Sequence, residues 1–216
     1  MIYEFPDASA AIRQGDIFES LPQVQISLAQ LFLVGEEDGT TETRRWEDVL
    51  TEEFVRLVVT ARPVTGIVIT QDCDTQRADL ITLCAVQPMK DIVVEPTPRP
   101  EKFFDQLRTQ CQKNLKWFYL PPDPRIGFAD RMAVDFQVTF TVPRADLEAL
   151  RRLRRGRLIH EADEHFRERL SDFFRRYPVD EWYPLSREEF VAYQAKVAKD
   201  ATPRPWQLPA AAVAAG

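Results

Sequence analysis

The stretch Gly66-Ile67-Val68-Ile69-Thr70-Gln71-Asp72-Cys73-Asp74 decides the architecture of this chain. An apolar, mostly β-branched run ends abruptly in a thiol held between two carboxylates. The run reads as a buried strand and the acidic triplet as the loop that leaves it. Leu80 to Val86 is a second strongly apolar segment, expected to pair with the first as a hairpin across Asp72 to Asp79. A junction of this kind is where a small β-protein places a site. It is equally a place where aspartates only satisfy the backbone of a turn.

Upstream, Gln14-Gly15-Asp16 signals a turn into Ile17-Phe18, the expected first strand. Val24, Ile26 and Leu28 alternate and then run into continuous apolar sequence to Val34, which predicts a strand entering the core. Glu36-Glu37-Asp38-Gly39 carries a hairpin signal, with Thr40 to Thr43 as its return. Trp46 to Val55 reads as a short helix. Leu57 to Thr70 is strand-like but interrupted by Arg62-Pro63, the mark of an edge, a bulge or a connection.

Downstream, prolines punctuate Glu95 to Pro100, and a helix is expected from Glu101 to Leu115 with Phe103, Phe104, Leu107 and Cys111 on one face. Trp117 to Leu120 and Met132 to Val142 read as strands. Arg144 to Arg155, Glu161 to Tyr177 and a segment opened by Ser186 read as helices. Strands first and helices last predict an α+β protein: a partly open antiparallel barrel over residues 14–142, a helical extension over 143–200, and a disordered tail over 201–216.

Composition narrows the function. The 216 residues are 44% hydrophobic, enough for a sizeable core. A formal net charge of −6 argues against a broad electrostatic grip on nucleic acid, which needs many cations to displace counterions. Met1 to Asp7 lacks the basic and apolar regions of a secretory leader, and no window is apolar enough to span a membrane. Cys73, Cys84 and Cys111 form no zinc pattern and read as reduced thiols in the cytoplasm.

Gly15-Asp16-Ile17, Arg62-Pro63 before Ile67-Val68-Ile69, and Leu80 to Pro88 together resemble the MazF/PemK-like toxins over roughly residues 14 to 160. The resemblance implies an SH3-like barrel. It also implies metal-independent cleavage of single-stranded RNA by an arginine and a hydroxyl, for which Arg62 with Thr70 or Thr82 are the candidates. The chain departs from that pattern. Val64-Thr65-Gly66 separates Arg62-Pro63 from the apolar run, and Gln87-Pro88 stand where the next strand would end at the site.

Other constellations have plainer readings. Two carboxylates beside Cys73 disfavour a thiolate, and the cation site that Asp72, Asp74 and Asp79 would form lacks the glycine and terminal glutamate of a calcium loop. His160 and His165 are five apart, so they face away from each other on a helix. Trp117-Phe118-Tyr119 reads as core rather than as a base-stacking platform. Arg144, Arg151, Arg152, Arg154, Arg155 and Arg157 form the main basic cluster, suited to phosphates, to an acidic partner or to a solvated helix face.

These readings favour a MazF-like barrel acting as a non-catalytic binding or regulatory protein in a toxin–antitoxin or phage-defence system. Its docking surface is expected at Arg151, Arg152, Arg154 and Arg155 or at Asp72, Cys73 and Asp74. The alternative is a divergent ribonuclease. The expected partner is a protein, with single-stranded RNA or a second copy as alternatives. No cofactor, metal or membrane is expected.

Overall fold

In the computed structural model, residues 2–34, 39–92, 100–108, 116–175, 187–196, 199–200 and 202–203 are described. Outside them lie Glu36 to Asp38, the proline run over 95–99, Cys111 and the expected helical residues up to Leu115, Tyr177, Ser186 and the tail from 204. The chain divides into one compact unit, Met1–Phe174, and a second from Arg175 onward.

The first unit is a mixed α+β half-barrel. Seven strands form one antiparallel sheet: β1 (Tyr3–Glu4), β2 (Asp16–Gln25), β6 (Thr60–Val68), β7 (Leu80–Pro88), β8 (Trp117–Leu120), β9 (Met132–Pro143) and β10 (Arg154–Leu158). Their order is β1-β10-β2-β6-β7-β9-β8. The sheet curls until its outer strands approach, and the Tyr3 hydroxyl donates to the Pro121 carbonyl at 2.8 Å just beyond β8.

The hairpin of β6 and β7 forms as expected, with Ile67 opposite Cys84 and Val68 opposite Leu83. Both faces of this hairpin are buried, which is why its sequence is continuously apolar. Ile17, Ile67 and Cys84 face the inner core with Phe118, Phe136 and Phe166. Phe18, Val68 and Leu83 face a second core closed by Ile12 and Leu147. Gly66 is a close-approach position: a Cβ there would stand 2.8 Å from the Phe140 ring.

Two helices cover the sheet. In α4 (His160–Phe174), Phe166 is fully buried and meets the Phe118 and Phe136 rings at 5.2 and 5.7 Å. In α3 (Arg144–Ala149), Leu147 fills the second core. Trp117 and Phe118 are core residues, and Met89, Leu107 and Trp117 make a smaller cluster under α2 (Pro100–Arg108).

The structure corrects five expectations. The helix expected through Arg155 stops at Ala149, because Arg154 to Leu158 pairs with β2 and joins the sheet. The sheet thus reaches beyond 14–142, taking in Tyr3–Glu4 as well. The strand expected over Val24 to Val34 breaks: β2 ends at Gln25 and β3 (Leu31–Val34) begins a separate sheet with β4 (Thr41–Arg44) and β5 (Leu57–Val58). Within Trp46 to Val55 only Trp46–Val49 is helical, as a single tight turn. Asp72 to Thr75 is one helical turn, α1, rather than an open loop.

A bulge in β2, where Ser20 adopts φ 55°, releases the outer half of that strand from the barrel. From Leu21 to Gln25 it pairs with β6 alone, over Thr60 to Val64. This ribbon carries the small sheet, whose own core is Leu31, Leu33 and Val49. Ribbon and small sheet together form an arm over residues 21–64. Pro22 faces Pro63 in the ribbon, so each lacks the N–H that would point to its open edge.

In the second unit, α5 (Arg187–Lys196) has Glu188 and Glu189 in its first turn and Lys196 in its last, matching the helix dipole.

Candidate functional site

An open cleft of about 620 Å³ lies where β6 leaves the sheet, lined by Gln14, Ile69, Gln71, Asp72, Cys73, Arg167, Leu170, Ser171 and Phe174. The residue after β6 is Ile69, α1 supplies Asp72 and Cys73, and α4 supplies Arg167, Leu170, Ser171 and Phe174. Asp72 is held from two sides: the Gln14 amide donates to Oδ1 at 2.8 Å, and Arg167 Nη2 donates to Oδ2 at 2.9 Å. The same Arg167 nitrogen lies 2.7 Å from Asp163 Oδ2. Gln14 is itself fixed, its side-chain amide donating to the Ile69 carbonyl at 2.9 Å.

Asp163 is buried, and its Oδ1 makes no hydrogen bond. Burial raises its pKa to about 6, Arg167 pulls the value back and Asp72 adds to the rise. The Asp163 carboxylate sits against Gly15, where a Cβ would stand 2.9 Å from Oδ1. Gly15 also has φ 80°, so two independent demands require glycine here.

Among the described residues, the cleft holds a thiol and no histidine beside it. Cys73 is exposed, with its Sγ 3.9 Å from Gln71 Oε1. His160 and His165 are exposed on α4 and do not line the cleft. Asp74 turns to Arg77 at 3.1 Å and away from Asp72. Among the described residues no three His, Cys, Asp or Glu side chains are placed to hold a metal ion. Cys84 is sealed in the core, where burial and then Asp135 push its thiol up to about 12. The cleft's charged groups therefore tie α1 to α4 and assemble no nucleophile–base pair.

The fold keeps Arg62 apart from both hydroxyl candidates, Thr70 and Thr82. Arg62 lies in the arm, donating to Gln23 Oε1 from Nε at 3.0 Å and Nη2 at 2.8 Å. Thr70 is eight residues further along an extended chain, about 25 Å away at strand rise. Thr70 Oγ1 instead accepts from the Thr82 amide at 2.8 Å, holding the mouth of the β6–β7 hairpin.

The arginine surface is likewise dismantled. Arg154 and Arg157 both bind Asp16, which is fully buried: Arg154 Nη1 at 3.1 Å and Arg157 Nε at 2.6 Å. Arg154 also donates to the carbonyls of Asp7, Ala10 and Ala11, so it clasps the N-terminal segment. Arg151 donates to the Ser9 carbonyl, and Arg155 pairs with Glu19. Of Arg151, Arg152, Arg154 and Arg155, the expected docking set, Arg152 alone is exposed with no ion pair among the described residues.

No protein-family model matches this chain. No curated protein and no solved structure matches it significantly.

The feature missed in the sequence is the arm's surface. Pro22 and Val24 share one ribbon face with Ala61 and Pro63, and all four are exposed. Ile26 and Val59 continue the two rows; Val24, Ile26 and Val59 are 47%, 56% and 42% exposed. Ile26, Phe32, Val58 and Val59 line one shallow pocket of about 130 Å³, which joins the stripe to the small sheet. The alternation at Val24, Ile26 and Leu28 was legible, but its side of the structure was not. Among the described residues, no layer of this unit covers the face that it marks.

Proposed function

We propose that this protein is a non-catalytic binding or regulatory protein, built on a MazF-like half-barrel and serving in a bacterial toxin–antitoxin or phage-defence setting. It grips its partner through the arm. One observation carries this reading: the apolar stripe from Pro22 to Ile26 and from Val59 to Pro63 is open to solvent. With Phe32, Val58 and Leu28 it exposes on the order of 500 Å², as large as the biggest apolar patch of a typical monomer, and such patches mark interaction sites. The resemblance of Gly15-Asp16-Ile17 and Arg62-Pro63 to the MazF/PemK-like toxins supports the setting. The engagement of Arg62 by Gln23, remote from Thr70 and Thr82, supports a barrel without that chemistry.

The test is incubation of purified protein with a long single-stranded RNA, with EDTA and with magnesium, beside Arg62→Ala and Asp72→Ala. Intact RNA in every lane is the expected result. Cleavage that survives EDTA and disappears in Arg62→Ala would establish a ribonuclease and overturn the proposal. Metal-dependent cleavage lost in Asp72→Ala would overturn it in favour of the cleft.

A further inference from the structure

We infer that Arg167 is a proton-controlled latch on the cleft between α1 and α4: it is held inward while Asp163 is charged, and is left to Asp72 and the open cleft when Asp163 takes up a proton. One guanidinium nitrogen serves two carboxylates here. Arg167 Nη2 lies 2.9 Å from Asp72 Oδ2 on the cleft side and 2.7 Å from Asp163 Oδ2 on the buried side. The Asp72 and Arg167 side chains are 41% and 44% exposed, that of Asp163 only 10%. Two carboxylates against one guanidinium leave the cluster with one negative charge in excess. Asp163 is the less stabilised of the two, because its Oδ1 is buried without a partner against the Gly15 turn, whereas Asp72 Oδ1 accepts the Gln14 amide. A buried, half-answered carboxylate is the one that a proton neutralises first.

The groups facing Asp163 fix the direction of the change. Arg167 and His160 face it from α4, Asp72 from α1 and Arg157 from β10, and the turn at Gly15 presents backbone. Arg157 is committed to Asp16, and His160 is exposed beside Glu164 at 3.4 Å. Burial raises Asp163 to about 6; Arg167 opposes the rise, Asp72 adds to it, and His160 and Arg157 oppose it more weakly. Protonation ends the repulsion between the two carboxylates, so the Arg167–Asp72 pair survives it and α1 stays docked. The cleft is lined by that pair and by the uncharged Gln14, Gln71, Cys73 and Ser171. It therefore loses its negative field in mild acid and becomes more favourable to anions.

Cys73 lines the same cleft and is exposed, whereas Cys84 is sealed in the core, so Cys73 is the reporter in a full chain carrying Cys111→Ser. Its modification by an anionic and by a neutral methanethiosulfonate is timed from pH 5 to pH 8. Both reagents react with the thiolate, so the ratio of their rates cancels thiol ionisation and reports the field at the sulfur. The anionic-to-neutral ratio is expected to rise about two- to threefold from pH 8 to pH 5, with its midpoint at about 6. Asp163→Asn should hold the ratio at its acid value throughout. Arg167→Gln should move the midpoint upward, because the guanidinium opposes the proton on Asp163. His160→Gln should leave the rise in place. A ratio flat with pH, a rise that persists in Asp163→Asn, an unmoved midpoint in Arg167→Gln or a rise lost in His160→Gln overturns the latch. None of these outcomes bears on the arm as a binding surface.

Discussion

At the scale of single residues, two buried carboxylates hold opposite kinds of environment. Asp16 sits between Arg154 and Arg157 and also accepts the Arg13 amide at 2.9 Å, so its charge is answered on every side. Asp16→Ala would leave two arginines packed around an uncompensated hole, and a loss of about 3–5 kcal/mol is expected in urea unfolding. Asp163 has one oxygen on Arg167 and one without a partner. Its pKa is raised to about 6 in the folded chain, so the fold binds this proton more tightly than the unfolded chain does. Stability from Asp163 is therefore full below about pH 4 and lost as pH rises through about 6. Asp163→Asn should remove that slope and stabilise the chain at neutral pH, by on the order of 2 kcal/mol. Urea midpoints from pH 4 to 8 check it; a variant as pH-sensitive as the wild type in that window would refute the assignment.

At the scale of elements, β6 does two jobs along one strand. Its inner half, Thr65 to Val68, has β2 on one side and β7 on the other, and both of its faces are packed. Its outer half, Thr60 to Val64, has β2 alone. The composition follows that change of environment, from Arg62-Pro63 at an open edge to Gly66-Ile67-Val68 inside. Gly66 marks the transition by letting the Phe140 ring and Leu83 close over the backbone. Gly66→Ala should cost about 1–3 kcal/mol through overpacking, read as a lower urea midpoint with unchanged m-value. The arginine-rich segment shows the same dependence on neighbours. Arg151 to Arg157 has no apolar periodicity to announce a strand, yet Arg154, Gly156 and Arg157 pair with β2 because Asp16 and the 7–11 carbonyls wait there for guanidinium groups.

At the scale of the whole unit, barrel and arm have separate cores. The barrel's two cores are built from β-strands, α3 and α4, whereas the arm's core is Leu31, Leu33 and Val49. Replacing residues 26–59 by an Asn-Gly turn would close Gln25 onto Thr60 as a tight hairpin, a register that β2 and β6 already hold. The shortened chain is expected to unfold within about 1 kcal/mol of the wild type in urea. Collapse of the barrel on excision, seen by circular dichroism, would show that the arm is part of its folding unit.

The sequence by itself determined the strands β6 to β9, the α+β class and the position of Gln71, Asp72 and Cys73 on the β6–β7 connection. Each of those rests on local pattern: continuous apolar runs, the turn chemistry of Gly15-Asp16, and helical spacing of Phe166, Leu170 and Phe173. Only the tertiary structure decided which charges meet and which apolar faces stay open. Asp16 finds Arg154 and Arg157 across roughly 140 residues of chain, a pairing that no local window contains. Val24 and Ile26 alternate as core residues do, and what leaves them in solvent is a bulge at Ser20 that turns the ribbon away from the barrel. Alternation specifies that a strand has an apolar face; the layer packed against that face, or missing from it, is a property of the folded whole.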